Sequence, residues 1–96
     1  MSATPTITPE TVVDEATDLD HPWSIRLYDD PVNLADFVAM ALSETLDIPT
    51  DVAWKHVRTV EKQGSAIVFD GPRTKAEPHA LALTSFGLHV KMEKSS

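Results

Sequence analysis

Cysteine is absent from this 96-residue chain, which removes disulfides, thiol catalysis and cysteine-based zinc sites together. Glycine occurs three times, each time singly, so there is no glycine-rich loop to cradle a phosphate. Eight basic residues stand against fifteen acidic ones and form no patch interleaved with aromatics, so nucleic acid is not an expected partner. No apolar run is long enough to span a bilayer, and a cytoplasmic protein without membrane contact is expected. The four histidines (His21, His56, His79, His89) fall on separate segments, without the short spacing of a helix-borne metal site. No metal or other cofactor is expected. Nor is an enzyme, because nothing in the spacing draws a serine, a histidine and a carboxylate together.

What is present divides unevenly. Residues 1–21 are rich in threonine, proline and acid, with five carboxylates (Glu10, Asp14, Glu15, Asp18, Asp20) and no lysine or arginine. Such a segment buries too little apolar area to offset the entropy of ordering, so it reads as a disordered acidic extension. It lacks the basic start and apolar core of a signal peptide. Residues 22–96 carry ten acids against eight bases, a net −2 out of the formal −7. The acidity is thus mostly a property of the extension, and residues 22–96 form one domain. At about 75 residues that domain can fold alone but has little room for a buried catalytic cavity, which favours a binding surface.

Periodicity outlines this domain. In "WSIRLY" Trp23, Ile25 and Leu27 alternate with Ser24, Arg26 and Tyr28, the pattern of a half-buried strand. Leu34, Val38, Ala41, Leu42 and Thr45 then recur at helical spacing, with Asp30 or Asn33 as the natural N-cap. Leu46–Pro49 breaks this helix. Thr50 caps a second one, whose inward stripe is Val52, Ala53, His56, Val57 and Val60 and whose end is Gly64. "SAIVFD" reads as a short, fully apolar strand, and "GPR" as a turn with Pro72 near a helix start. A third helix runs from about Thr74 to Phe86, with Pro78 tolerable only near its first turn, and Gly87 closes it. "LHVKME" alternates again, with Leu88, Val90 and Met92 inward. The order β-α-α-β-α-β predicts a compact α+β domain, three strands covered by three helices.

The stretch "LYDDPVNLADFV" raises a question of charge. Asp29 and Asp30 stand against Pro31 where the first strand gives way to the first helix. They have two readings, as turn and cap residues or as a site that holds something positive. A free peptide N-terminus is an ammonium with three donors, which two carboxylates and the Asn33 side chain can satisfy with charge-assisted bonds. An apolar pocket beside them would take the peptide's first side chain, and Leu34, Ala35, Val38, Val57 and Val60 are its candidate walls. Trp23 and Trp54 read as core or edge cover, half-buried.

Three separated pieces carry a family resemblance. "LYDDPVNLADFV" resembles the strand-to-helix stretch of ClpS, the adaptor family that delivers N-end-rule substrates to Clp unfoldases. There an Asn-Asp-Asp/Asn-type triplet is followed by an aromatic-Val pair, here Phe37–Val38. "VEKQGSAIVF" is similar to the family's helix end and small-residue strand, and "FGLHVKMEK" to its closing strand. The likeness runs from about Trp23 to Lys94. It implies a three-stranded antiparallel sheet packed against three helices, and an N-terminal extension that engages the unfoldase. It implies amine binding by Asp29, Asp30 and Glu61, with Asp29 where the family usually has Asn and Glu61 where it has His. The implied first-side-chain pocket is Asn33, Ala35, Val38, Val57, Val60 and Leu88, with Ala35 in place of a bulky gate residue. Thr74 and His79 fall on the unfoldase-docking face, in place of a charged pair. The implied partners are proteins with N-terminal Leu, Phe, Tyr or Trp and a ClpA- or ClpC-type AAA+ unfoldase, with the adaptor acting as a monomer.

Two other readings stay open on the residues alone. One is an interaction module of the same fold, comparable in shape to the C-terminal domain of the ribosomal stalk protein, that has lost N-terminal-residue binding and modulates an unfoldase or another partner. The other is a small hydrolase built on an Asp/Glu pair with His56 or His89. An acid cluster beside an apolar pocket favours the adaptor, whereas a carboxylate–histidine contact in a closed cleft favours the hydrolase.

Overall fold

The computed structural model describes residues 22–95, so the extension expected over residues 1–21 lies outside the described residues. Strand β1 (Pro22–Tyr28) is followed by helices α1 (Ala35–Leu46) and α2 (Thr50–Gln63). Strand β2 (Ser65–Pro72), helix α3 (Arg73–Ser85) and strand β3 (Val90–Lys94) complete the order. The three strands form one antiparallel sheet, as the resemblance implies, and its order is β2-β1-β3. Strand β1 is central and carries the sequence's clearest alternation.

One face of the sheet is covered. Ile25 and Leu27 of β1 are buried with Ala66 and Val68 of β2, Ala39, Ala41 and Leu42 of α1, Ala53, Val57 and Val60 of α2, and Ala76 and Leu83 of α3. Each large side chain among these contributes roughly 1.5–3 kcal/mol by leaving water. The other face is polar and paired across strands. Arg26 donates from Nε to Glu93 at 2.8 Å and from Nη1 to Ser65 at 3.1 Å. Ser24 donates to Asp70 Oδ1 at 3.2 Å and sits 2.6 Å from the Ser95 hydroxyl, which is why this small polar residue is buried. The β1–β2 register shifts between Ile25 and Arg26, leaving Val68 as the extra residue of a bulge.

The structure corrects several local expectations. Strand β2 lies at an edge and alternates, with Ala66 and Val68 in the core and Ile67 exposed, and it runs on through Gly71 and Pro72, which the sequence reads as a turn. Leu34 is no part of the α1 stripe. It is the extended N-cap residue and is 76% exposed, while Ala39 takes a buried place. Neither Asp30 nor Asn33 caps α1, and Thr50 does not cap α2. The N-caps of the three helices are Leu34, Pro49 and Pro72, none with a side-chain cap bond. Pro78 lies in the second turn of α3, not the first. There it removes the bond to the Thr74 carbonyl, and both residues face water. Buried Ala76 and Leu83 hold the helix to the sheet across that gap.

Two glycines end helices and then shape the site. Gly64 follows α2 at φ 89° and donates to Val60 O at 2.8 Å. Gly87 follows α3 at φ 87° in a Schellman arrangement, with Gly87 N–H donating to Thr84 O and Leu88 N–H to Leu83 O.

Candidate functional site

Strand β1 ends where these two glycine turns meet. Tyr28 N–H donates to His89 O and Asp29 N–H to Gly64 O, each at 2.9 Å. The last strand residue is thereby tied to the approach to β3, and the next one to the turn after α2. Pro31 cannot donate, so side chains satisfy the loop that follows. Asp29 Oδ1 accepts the Asp30 N–H at 3.0 Å, and Asp30 Oδ1 accepts the Val32 N–H at 2.8 Å, an Asx turn. The Asn33 Nδ2 group donates to Asp30 Oδ2 at 2.5 Å and to Gly87 O at 3.1 Å. The turn role of the two aspartates is therefore real. It engages one oxygen of Asp29 and both of Asp30, and a carboxylate oxygen can accept more than one bond.

A cavity of about 50 Å³ opens between this loop, α1, α2 and the Gly87–Leu88 turn. That is room for a few water molecules or the end of a side chain, since one water needs about 10–15 Å³. Its lining is Leu27, Tyr28, Asp29, Asp30, Asn33, Ala35, Val38, Val57, Val60, Glu61 and Leu88. All nine residues assigned in sequence to amine binding and to the first-side-chain pocket meet there. The floor is apolar: Leu27, Val57, Val60 and Leu88 are each 5% exposed or less. The rim carries the carboxylates of Asp29, Asp30 and Glu61, and no lysine or arginine is among the lining residues. The Asp30 carboxyl is held below the ordinary aspartate range, chiefly by the Val32 N–H, then by Asn33, with a smaller pull from His89. It is a committed anion at neutral pH.

Leu34, expected as a wall, points away and is not in the lining. Leu27 and Tyr28 line the cavity without having been assigned to it. Their signal was their place as the last two residues of a strand leading into Asp29: a site at a strand's end can collect side chains from both faces. Tyr28 is further fixed by the His89 ring, 5.4 Å between centroids, and by the Lys91 ammonium, 5.7 Å over its own ring.

Thr74 and His79 lie apart from this cavity. Thr74 is exposed in the first turn of α3, and His79 is half-buried with its ring edge-on to Phe69 at 4.9 Å. Beside them Arg73 bonds Glu77 at 2.9 Å and lies over the Trp23 ring at 5.6 Å. Among the described residues no histidine forms an ion pair with a carboxylate, and no group of three or more His, Asp or Glu is arranged to hold a metal. The contact that a hydrolase would need between His56 or His89 and a carboxylate is missing there.

Comparison with known proteins decides the family. Residues 18–91 match the family model described as ATP-dependent Clp protease adaptor protein ClpS. The chain belongs to the ClpS family. The ClpS adapter of Rhodococcus opacus is 35% identical over 100 residues, covering 100% of this chain and 88% of that one. That of Corynebacterium diphtheriae is 32% identical over 92 residues, covering 96% and 81%. Among solved structures, Agrobacterium tumefaciens ClpS2 bound to L-phenylalaninamide superposes with a TM-score of 0.75. At 23% identity, covering 79% of this chain and 99% of that one, it shares the ClpS fold. As a member of the family this chain is a non-catalytic adaptor of the ATP-dependent Clp protease. No helix among its described residues is long and apolar enough to cross a membrane.

Proposed function

We propose that this ClpS-family adaptor captures proteins by a free N-terminal residue, an N-end-rule degron, and hands them to a Clp AAA+ unfoldase of the ClpA or ClpC type. The observation that carries this reading is the convergence of an anionic rim and an apolar floor in one small cavity. An N-terminus is the one point on a polypeptide that offers an ammonium and a side chain from the same carbon. Asp29, Asp30 and Glu61 take the ammonium, and Ala35, Val38, Val57, Val60 and Leu88 receive the side chain, with Asn33 at the join. The capture of L-phenylalaninamide by the Agrobacterium relative, a free amine with an aromatic side chain, fits this division.

Ala35 is half-buried in the lining and leaves open the space that a bulky residue would fill. The adaptor therefore takes large aromatic first residues as well as Leu, and separates branched from unbranched aliphatic ones poorly. The unfoldase docks on α3 around Thr74 and His79, away from the cavity, so that both partners bind at once to an adaptor monomer in the cytoplasm. The test is fluorescence anisotropy with labelled peptides that differ only in residue one, with free and acetylated N-termini. Peptides beginning with Leu, Phe, Tyr or Trp bind, those beginning with Gly do not, and acetylation abolishes binding. Equal affinity for Gly and Phe peptides, or indifference to acetylation, would refute the reading.

A further inference from the structure

Outside the cavity one group of like charges gathers on a single helix face. Lys55, Arg58 and Lys62 follow one another at i, i+3 and i+7 on α2 and so share one face of the helix. All three are exposed, and none forms an ion pair among the described residues. A cation in the last turn of a helix is favoured by the helix dipole, which accounts for Lys62. It does not account for Lys55 and Arg58, which lie further back along the helix.

These side chains line an open groove of about 640 Å³ with Thr59, Glu61 and Gln63. That volume is more than ten times that of the cavity, so the groove is a surface to lie across, not a pocket to fill. Glu61 lines both. The groove is therefore continuous with the rim where the ammonium is held, and a chain leaving the rim past Glu61 runs onto it. From Glu61 back to Lys55 is six residues of helix, about 9 Å at 1.5 Å each. An extended chain rises about 3.3 Å per residue, so roughly three of its residues cover that length.

We infer that the Lys55–Arg58–Lys62 face is a second contact for the captured protein and selects acidic residues at about the third to sixth positions of its chain. The inference rests on the proposed capture of the N-terminus and adds a rule to it. Position two lies against the carboxylate rim and disfavours acid, whereas the following residues lie against three cations and favour it. Charge changes sign along the path, so the site reads a pattern and not net charge alone.

The test uses three peptides that begin with Phe and share a neutral residue two, with Asp/Glu, Ser/Gln or Lys at positions three to six. At low ionic strength the acidic peptide binds about fivefold tighter than the neutral one, and the basic peptide more weakly than either. The advantage disappears in high salt. It also disappears in the exposed-site variant Lys55→Gln/Arg58→Gln/Lys62→Gln, whose folding is checked by circular dichroism. If the neutral peptide binds and acetylation abolishes it, but the acidic one binds no tighter, the inference is wrong and the capture of N-termini stands. The inference also fails if the advantage survives in the triple variant. Loss of all free-amine binding removes both.

Discussion

One of the two left-handed glycines that frame the site, Gly64, gives a sharp expectation on substitution by alanine. Gly64 has φ 89°, and a Cβ built on it meets nothing within 4 Å. The substitution therefore creates no clash, and its cost is conformational alone. Holding an L-residue in the left-handed region costs roughly 1–2 kcal/mol. Alanine also restricts the unfolded chain, which returns about 0.4–1 kcal/mol. The net loss is about 1 kcal/mol, or about 4–8 °C in Tm for a domain of this size. Urea denaturation followed by the fluorescence of Trp23 and Trp54 measures it. Gly64→Asn loses less, because asparagine tolerates this region. A D-alanine introduced by chemical synthesis, for which this φ is favourable, loses less than the L form. An L-alanine variant as stable as the parent, or a D-alanine variant less stable than the L form, would mean that Gly64 is not held left-handed in solution. The anchoring of Asp29 to its carbonyl would then need another explanation.

Other outcomes follow from the same geometry. In Asp30→Asn the new amide must point its NH₂ at the Val32 N–H or at Asn33 Nδ2, both donors; if Asn33 flips to accept, its bond to Gly87 O is lost. Free-amine peptides should lose at least about tenfold in affinity by anisotropy, the worth of one charge-assisted bond. Ala35→Met adds three heavy atoms beside a cavity of about 50 Å³ and should weaken Trp and Phe peptides about tenfold relative to Leu peptides, the cost of overpacking by a ring. His56 is kept from protonating by burial, so its pKa lies below the ordinary histidine value. The unfolded chain then takes up the proton first, and stability falls as pH drops below about 6.5 towards that lower value. His56→Gln should flatten this part of the stability curve, measured by urea titration at stepped pH.

How much of this was legible in the sequence depends on the kind of signal. Strand β1 was plain because Ile25 and Leu27 alternate with polar partners, and α2 because Ala53, Val57 and Val60 keep a helical stripe up to a glycine. The order of elements follows from those periods. Thr50 and Pro72 marked two helix starts to within a residue, but the caps were not legible, since Leu34, Pro49 and Pro72 enter their helices through extended backbone and offer no side-chain oxygen as acceptor. The run "SAIVFD" marks a strand, but a string of apolar residues does not say whether that strand is central or at an edge. Only pairing decides that Ile67 faces water. Seven of the lining residues, Asp29, Asp30, Asn33, Ala35, Val38, Val57 and Val60, follow from the charge at the turn and the helical stripes. Glu61 and Leu88 are reached only through resemblance, because Glu61 is no part of the apolar stripe of α2 and Leu88 lies beyond α3. Leu27 and Tyr28 were within reach of the pattern, but alternation placed them on opposite faces and hid that both border the same opening.

The bulge at Val68 bears on a hazard peculiar to a protein that handles unfolding chains. A three-stranded sheet has two outer edges, and each is a template on which a loose polypeptide could add as a further strand. Strand β2 answers with the bulge, which breaks its ladder, and with Pro72, which has no donor to offer. Strand β3 is only five residues long and places Lys91 and Lys94 along its length. Neither flank is a good surface for fibrillar growth or for gripping the middle of a client chain.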